Sequence, residues 1–84
     1  MSDKAIVLFI DQNARNKIEL EIPTSITAND LIIALNETYK LGMDIDSIFN
    51  CHLIQENPIA FLHGNRTLES YGTRNGSRII YERG

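Results

Sequence analysis

The sequence predicts an α+β domain in which one mixed sheet packs on a single helix, in the order β-β-α-β-β-β. Three observations predict it. One stretch alternates polar and apolar residues with period two. A second carries a helix cap followed by an apolar stripe at helical spacing. Three short β-rich runs then follow, separated by turn residues. At 84 residues the chain is expected to be one domain, 1–84, able to close one modest core without a metal or a disulfide.

The opening strand is the apolar run Ala5 to Ile10, which stops at the polar stretch Asp11–Asn16, suited to a hairpin turn. Lys17 to Ile22 alternates without a fault, so Ile18, Leu20 and Ile22 share one face and the charges share the other. Pro23 ends this strand because it has no N–H for the ladder. Thr27-Ala28-Asn29-Asp30 has the spacing of a helix N-cap, with Ile26 and Leu31 placed as a hydrophobic staple. Leu31, Ile32, Leu35 and Tyr39 then recur on one helical face, and Gly42 is the expected left-handed stop, giving a helix over 28–41. Ile33 points away from that stripe.

Met43 to Asn50 is a connector whose Ile45, Ile48 and Phe49 are expected to tuck against the helix end. Strand three covers 51–55. Asn57-Pro58 turns the chain into a short strand at 59–62, and 67–72 reads as one capped helical turn. Asn75-Gly76 is a turn dipeptide, and the last strand runs from Ser77 to Glu82.

This order resembles the β-grasp of ubiquitin, and local segments agree. Ile18-Glu19-Leu20-Glu21-Ile22-Pro23 followed by Ser25-Ile26-Thr27 is similar to ubiquitin's second strand, proline and capped helix start. Gly64 to Gly72 is similar to ubiquitin's run of glycine, arginine, threonine, leucine, a polar pair and tyrosine. The resemblance implies that the Tyr71 hydroxyl bonds backbone near His63 or Gly64. Within that superfamily the chain most resembles the YukD/EsaB group, small ubiquitin-like proteins of bacterial type VII secretion. That likeness rests on Leu20-Glu21-Ile22-Pro23, Asp30-Leu31-Ile32, and Tyr71-Gly72 with Asn75-Gly76-Ser77-Arg78-Ile79. A modifier or sulfur carrier of this superfamily needs a C-terminal diglycine. Arg83-Gly84 offers one glycine and little reach, so conjugation is not expected.

Composition excludes other classes. The chain is 43% hydrophobic and 23% charged, with a formal charge of −3 and a pI near 5.2. Arg66, Arg74, Arg78 and Arg83 are scattered among neutral or acidic neighbours. This reads as a solvated face, with a weak basic patch near the C-terminus as the alternative, so no nucleic-acid partner is expected. A single cysteine fits a reducing compartment. No apolar run approaches the ~20 residues that span a bilayer, and the short apolar run at the N-terminus ends in Asp11, unlike a signal peptide. A cytoplasmic protein is expected, recruited to the inner membrane face only through a partner.

No candidate chemistry survives inspection. Cys51 and His52 are strand neighbours pointing to opposite faces, so they cannot share a proton, and Cys51 reads as a packed thiol. His52, His63 and Cys51 lack metal-ligand spacing, and Asp44 and Asp46 lack the rest of a calcium loop. No enzyme activity, cofactor or metal is expected. The expected site is instead the solvent face of the sheet. Taking Ile6, Leu8 and Ile10 as the inward set of strand one leaves Val7 and Phe9 outward. With Ile54 and Ile80 they would form an apolar patch rimmed by His52 and Arg78, a surface for a protein partner. The expected function is an accessory or regulatory component of a type VII secretion system, binding a membrane component or its ATPase as a monomer or weak homodimer. The alternatives are an adaptor unrelated to secretion and, less favoured, a modifier or sulfur carrier.

Overall fold

The computed structural model describes residues 3–82. Its elements are β1 (Lys4–Asp11), β2 (Asn16–Pro23), α1 (Ala28–Tyr39), a 3-10 segment (Ile45–Asn50), β3 (Leu53–Glu56), β4 (Ala60–Leu62), a 3-10 turn (Glu69–Tyr71) and β5 (Arg78–Tyr81). The five strands form one sheet in the order β2-β1-β5-β3-β4. β1 and β5 run parallel, and every other pair is antiparallel. The fold class is therefore as expected, an α+β mixed sheet of ubiquitin-like topology laid over one main helix.

The register of β1 on β2 decides which face of β1 is core. Phe9 lies opposite Ile18, Val7 opposite Leu20 and Ala5 opposite Ile22. Because Ile22 is buried and Leu20 packs on the core, their partners face the helix as well. Val7 is 2% and Phe9 1% exposed, and Phe9 stacks on Tyr39 of α1 with ring centroids 5.5 Å apart. The expected phase of β1 is thus reversed. Val7 and Phe9 are core, and Ile6, Leu8 and Ile10 point outward. The physical reason is that six apolar residues in succession carry no alternation, so only cross-strand pairing fixes the phase.

The Thr27 hydroxyl accepts the Asp30 N–H at 3.1 Å, as the cap spacing predicts. Such a cap stabilises by about 1 kcal/mol. The loop before the 3-10 turn supplies two further acceptors: Ala28 N–H donates to the Arg66 carbonyl and Asn29 N–H to that of Gly64. All of these helix-end donors are satisfied by protein. Tyr71 pins the same loop, its hydroxyl donating to the His63 carbonyl at 2.7 Å.

Two local expectations are corrected. Gly42 is left-handed as expected, but α1 closes two residues earlier on a left-handed Lys40, whose N–H returns to the Asn36 carbonyl; the Asn36 side chain accepts the Met43 N–H at 2.8 Å. This side-chain bond fixes the exit, so a non-glycine can take the strained position. Ile45 and Ile48 pack on the core, whereas Phe49 is 77% exposed, because it falls on the outer side of the 3-10 segment. The expectation about the Arg83-Gly84 tail lies outside the described residues.

Candidate functional site

The registers place four outward side chains in one row across the sheet. Ile10 lies beside Ile80, Ile80 beside Ile54, and Ile54 beside Phe61. At about 4.8 Å per strand the row is about 14 Å long. Lys17 on β2 stands next to Ile10 at its far end. A second row holds Glu19, Leu8, Arg78 and Glu56, and Arg78 pairs with Glu56 at 2.8 Å. Ile6, 45% exposed, extends the apolar surface downward on β1.

Of the six residues expected to form the site, His52, Ile54, Arg78 and Ile80 share this face, while Val7 and Phe9 lie on the other side of the sheet. Ile6, Leu8 and Ile10 take the place of the latter two. Ile80 is only 9% exposed, because Ile10 and Ile54 flank it. It forms the floor of the ribbon, and Phe61, 49% exposed, forms its raised end. Phe61 is held in place by two histidines: His52 stacks on it at 4.4 Å and His63 meets it edge-on at 5.2 Å. Period-two alternation in β4 would have identified Phe61, since buried Leu62 fixes the opposite face.

Cys51 is buried on the other side from exposed His52, and its thiol donates to the carbonyls of Asp44 and Ser47. Burial, with the Asp44 carboxylate adding, pushes the Cys51 thiol above its usual range and away from the nucleophilic thiolate. Asp44 accepts the Asp46 N–H, a loop-capping role. Among the described residues no cluster of three or more His, Cys, Asp or Glu is placed to hold a metal ion. No helix among them is long and apolar enough to cross a membrane.

No protein-family model matches the chain, and no curated protein does. Solved structures do. The ubiquitin-like domain of tubulin-binding cofactor B superposes with a TM-score of 0.73 at 21% identity, covering 95% of this chain and 89% of that one. The C-terminal ubiquitin-like domain of mouse tubulin-specific chaperone e gives 0.66 at 14%, covering 98% and 90%. The ubiquitin-like domain of yeast Ddi1 gives 0.62 at 15%, covering 100% and 95%. At these identities the likeness is one of fold, and it extends over nearly the whole chain.

Proposed function

We propose that the chain is a non-catalytic protein-interaction module that docks a partner on the outer face of its sheet. The ribbon Ile10–Ile80–Ile54–Phe61 carries the reading: four large apolar side chains in one row, on the face away from the helix, bordered by an ion pair and two histidines. Contiguous apolar surface of this kind favours burial against another protein. The finer reading is an accessory component of a bacterial type VII secretion system, acting in the cytoplasm on a membrane component or ATPase. It is supported by the resemblance of Leu20-Glu21-Ile22-Pro23, Asp30-Leu31-Ile32 and the Tyr71–Ile79 segment to the YukD/EsaB group. An adaptor role outside secretion is the second reading, favoured by the likeness to ubiquitin-like domains of tubulin cofactors.

Affinity capture from the source cell tests the docking face. A Leu8→Glu, Ile54→Glu double variant is expected to keep its melting transition and weaken partner capture by about thirtyfold or more, the scale of a hot-spot loss. Undiminished capture would remove the sheet face from consideration. Neighbouring genes for an FtsK/SpoIIIE-like ATPase and small helical-hairpin proteins are expected under the secretion reading, and their absence favours the adaptor.

A further inference from the structure

The most exposed of the large apolar side chains among the described residues is Ile59, at 86%, and it sits on a tightly held segment. Ile59 follows Asn57-Pro58 in the turn between β3 and β4, and that turn is tied down from beneath. Gln55, fully buried on the inward face of β3, donates through Nε2 to the Pro58 carbonyl at 3.0 Å and the Tyr71 carbonyl at 3.1 Å. Its Oε1 accepts the Thr73 hydroxyl. The fully buried Ser77 hydroxyl donates to the Asn57 carbonyl at 2.7 Å and accepts the Arg74 N–H at 3.0 Å. Asn57 is held through its side chain too, donating to the Gly76 carbonyl and accepting from Arg74 Nη2 at 3.2 Å. Gly72 adds a close approach, since a Cβ there would lie 3.0 Å from Pro58 Cγ.

An apolar residue at position 55 would bury no polar group of its own but would leave the Thr73 hydroxyl and the Pro58 and Tyr71 carbonyls without this partner. The buried amide instead fixes the turn, and a fixed turn presents Ile59 with little ordering cost on binding. Charge at the base of the turn is uneven. Glu56 is neutralised by Arg78, whereas Arg74 is exposed, makes no ion pair among the described residues, and touches the turn only through the neutral Asn57 amide. Asp3, Lys4 and Glu69 line the same surface depression as Arg74, and neither carboxylate lies within ion-pair distance of it.

From this we infer that the β3–β4 turn is a preorganised anchor, with Ile59 entering an apolar pocket of the partner protein whose rim carries a carboxylate facing Arg74. The inference rests on the docking role proposed above and adds a concave, acid-rimmed partner surface. A photo-crosslinking series tests it, with p-benzoylphenylalanine placed in the full chain at position 59, at position 54 on the ribbon, or at position 37 on the exposed side of α1. Position 59 is expected to give one major adduct, mapping by mass spectrometry to an apolar partner segment containing Asp or Glu. Arg74→Gln should lower that yield about tenfold, as loss of a complementary charge does, while Arg74→Lys retains it. Adducts at 54 without 59 overturn the anchor and leave the docking face standing. Adducts at neither position overturn both. An adduct to a second copy of the chain, a yield at 37 equal to that at 59, or indifference to Arg74→Gln also overturns the proposal.

Discussion

The two hairpins of the sheet are held by different means. The β1–β2 hairpin pairs eight residues on each strand and buries Ala5, Val7 and Phe9 against the helix. Its turn is plain: the Asp11 carboxylate accepts the N–H groups of Asn13 and Ala14. The β3–β4 hairpin pairs three residues and places a glutamine on its inward face. Its turn is bound by Ser77, Asn57, Arg74 and Gln55 together. A long hairpin is secured by buried area, so its turn needs little help. The short one buries Leu53 and Leu62 but has only three ladder pairs, and hydrogen bonds from the approach to β5 hold its turn. Its exposed apolar residues, Ile59 and Phe61, are therefore spare from the standpoint of folding.

Each hairpin carries one phenylalanine, and the pair gives the largest expected contrast. Phe9→Ala should cost about 3–5 kcal/mol in urea unfolding, as for a fully buried aromatic. Phe61→Ala should cost less than about 1 kcal/mol. Equal costs would break the comparison. The next contrast is between the turns. Gln55→Leu strips partners from the Thr73 hydroxyl and from the Pro58 and Tyr71 carbonyls, and should cost about 2–3 kcal/mol, whereas Asp11→Ala should cost about 1 kcal/mol. Faster amide exchange around 56–60 in Gln55→Leu would sharpen the point. The smallest effect concerns Cys51, which leads into β3. Folding raises its affinity for the proton. The unfolded chain therefore releases that proton first as pH climbs. This contribution is level below the ordinary thiol range and is lost as pH rises through it towards the raised folded value. Cys51→Ala should flatten that alkaline decline in a pH series of thermal melts.

Legibility in the sequence followed the same divide. β2 was readable because Lys17, Glu19 and Glu21 alternate with Ile18, Leu20 and Ile22. The Thr27 cap and the Tyr71–His63 bond were readable because they depend on local spacing or on a recognisable segment. β1 was not, since Ala5 to Ile10 is apolar on both faces. The signal that resolves it is indirect: a turn that sets Asp11 opposite Asn16 also sets Phe9 opposite Ile18, and β2 then dictates the phase. Ile10, the β1 end of the ribbon, was lost with that phase, and Phe61 was missed separately because the alternation of β4 went unused. Ile54, Ile80, His52 and Arg78 were assigned to the outer face because β3 and β5 each carry an unambiguous inward residue, Leu53 and Ile79. The turn clamp had no sequence signal, because Gln55, Thr73 and Ser77 are brought together only by the closed sheet.

Amide chemical-shift mapping of the labelled chain against its captured partner tests the docking face most directly. The largest changes should fall on Ile10, Ile54, Phe61 and Ile80, with α1 unmoved. Changes confined to α1, or to the β1–β2 turn, would contradict it.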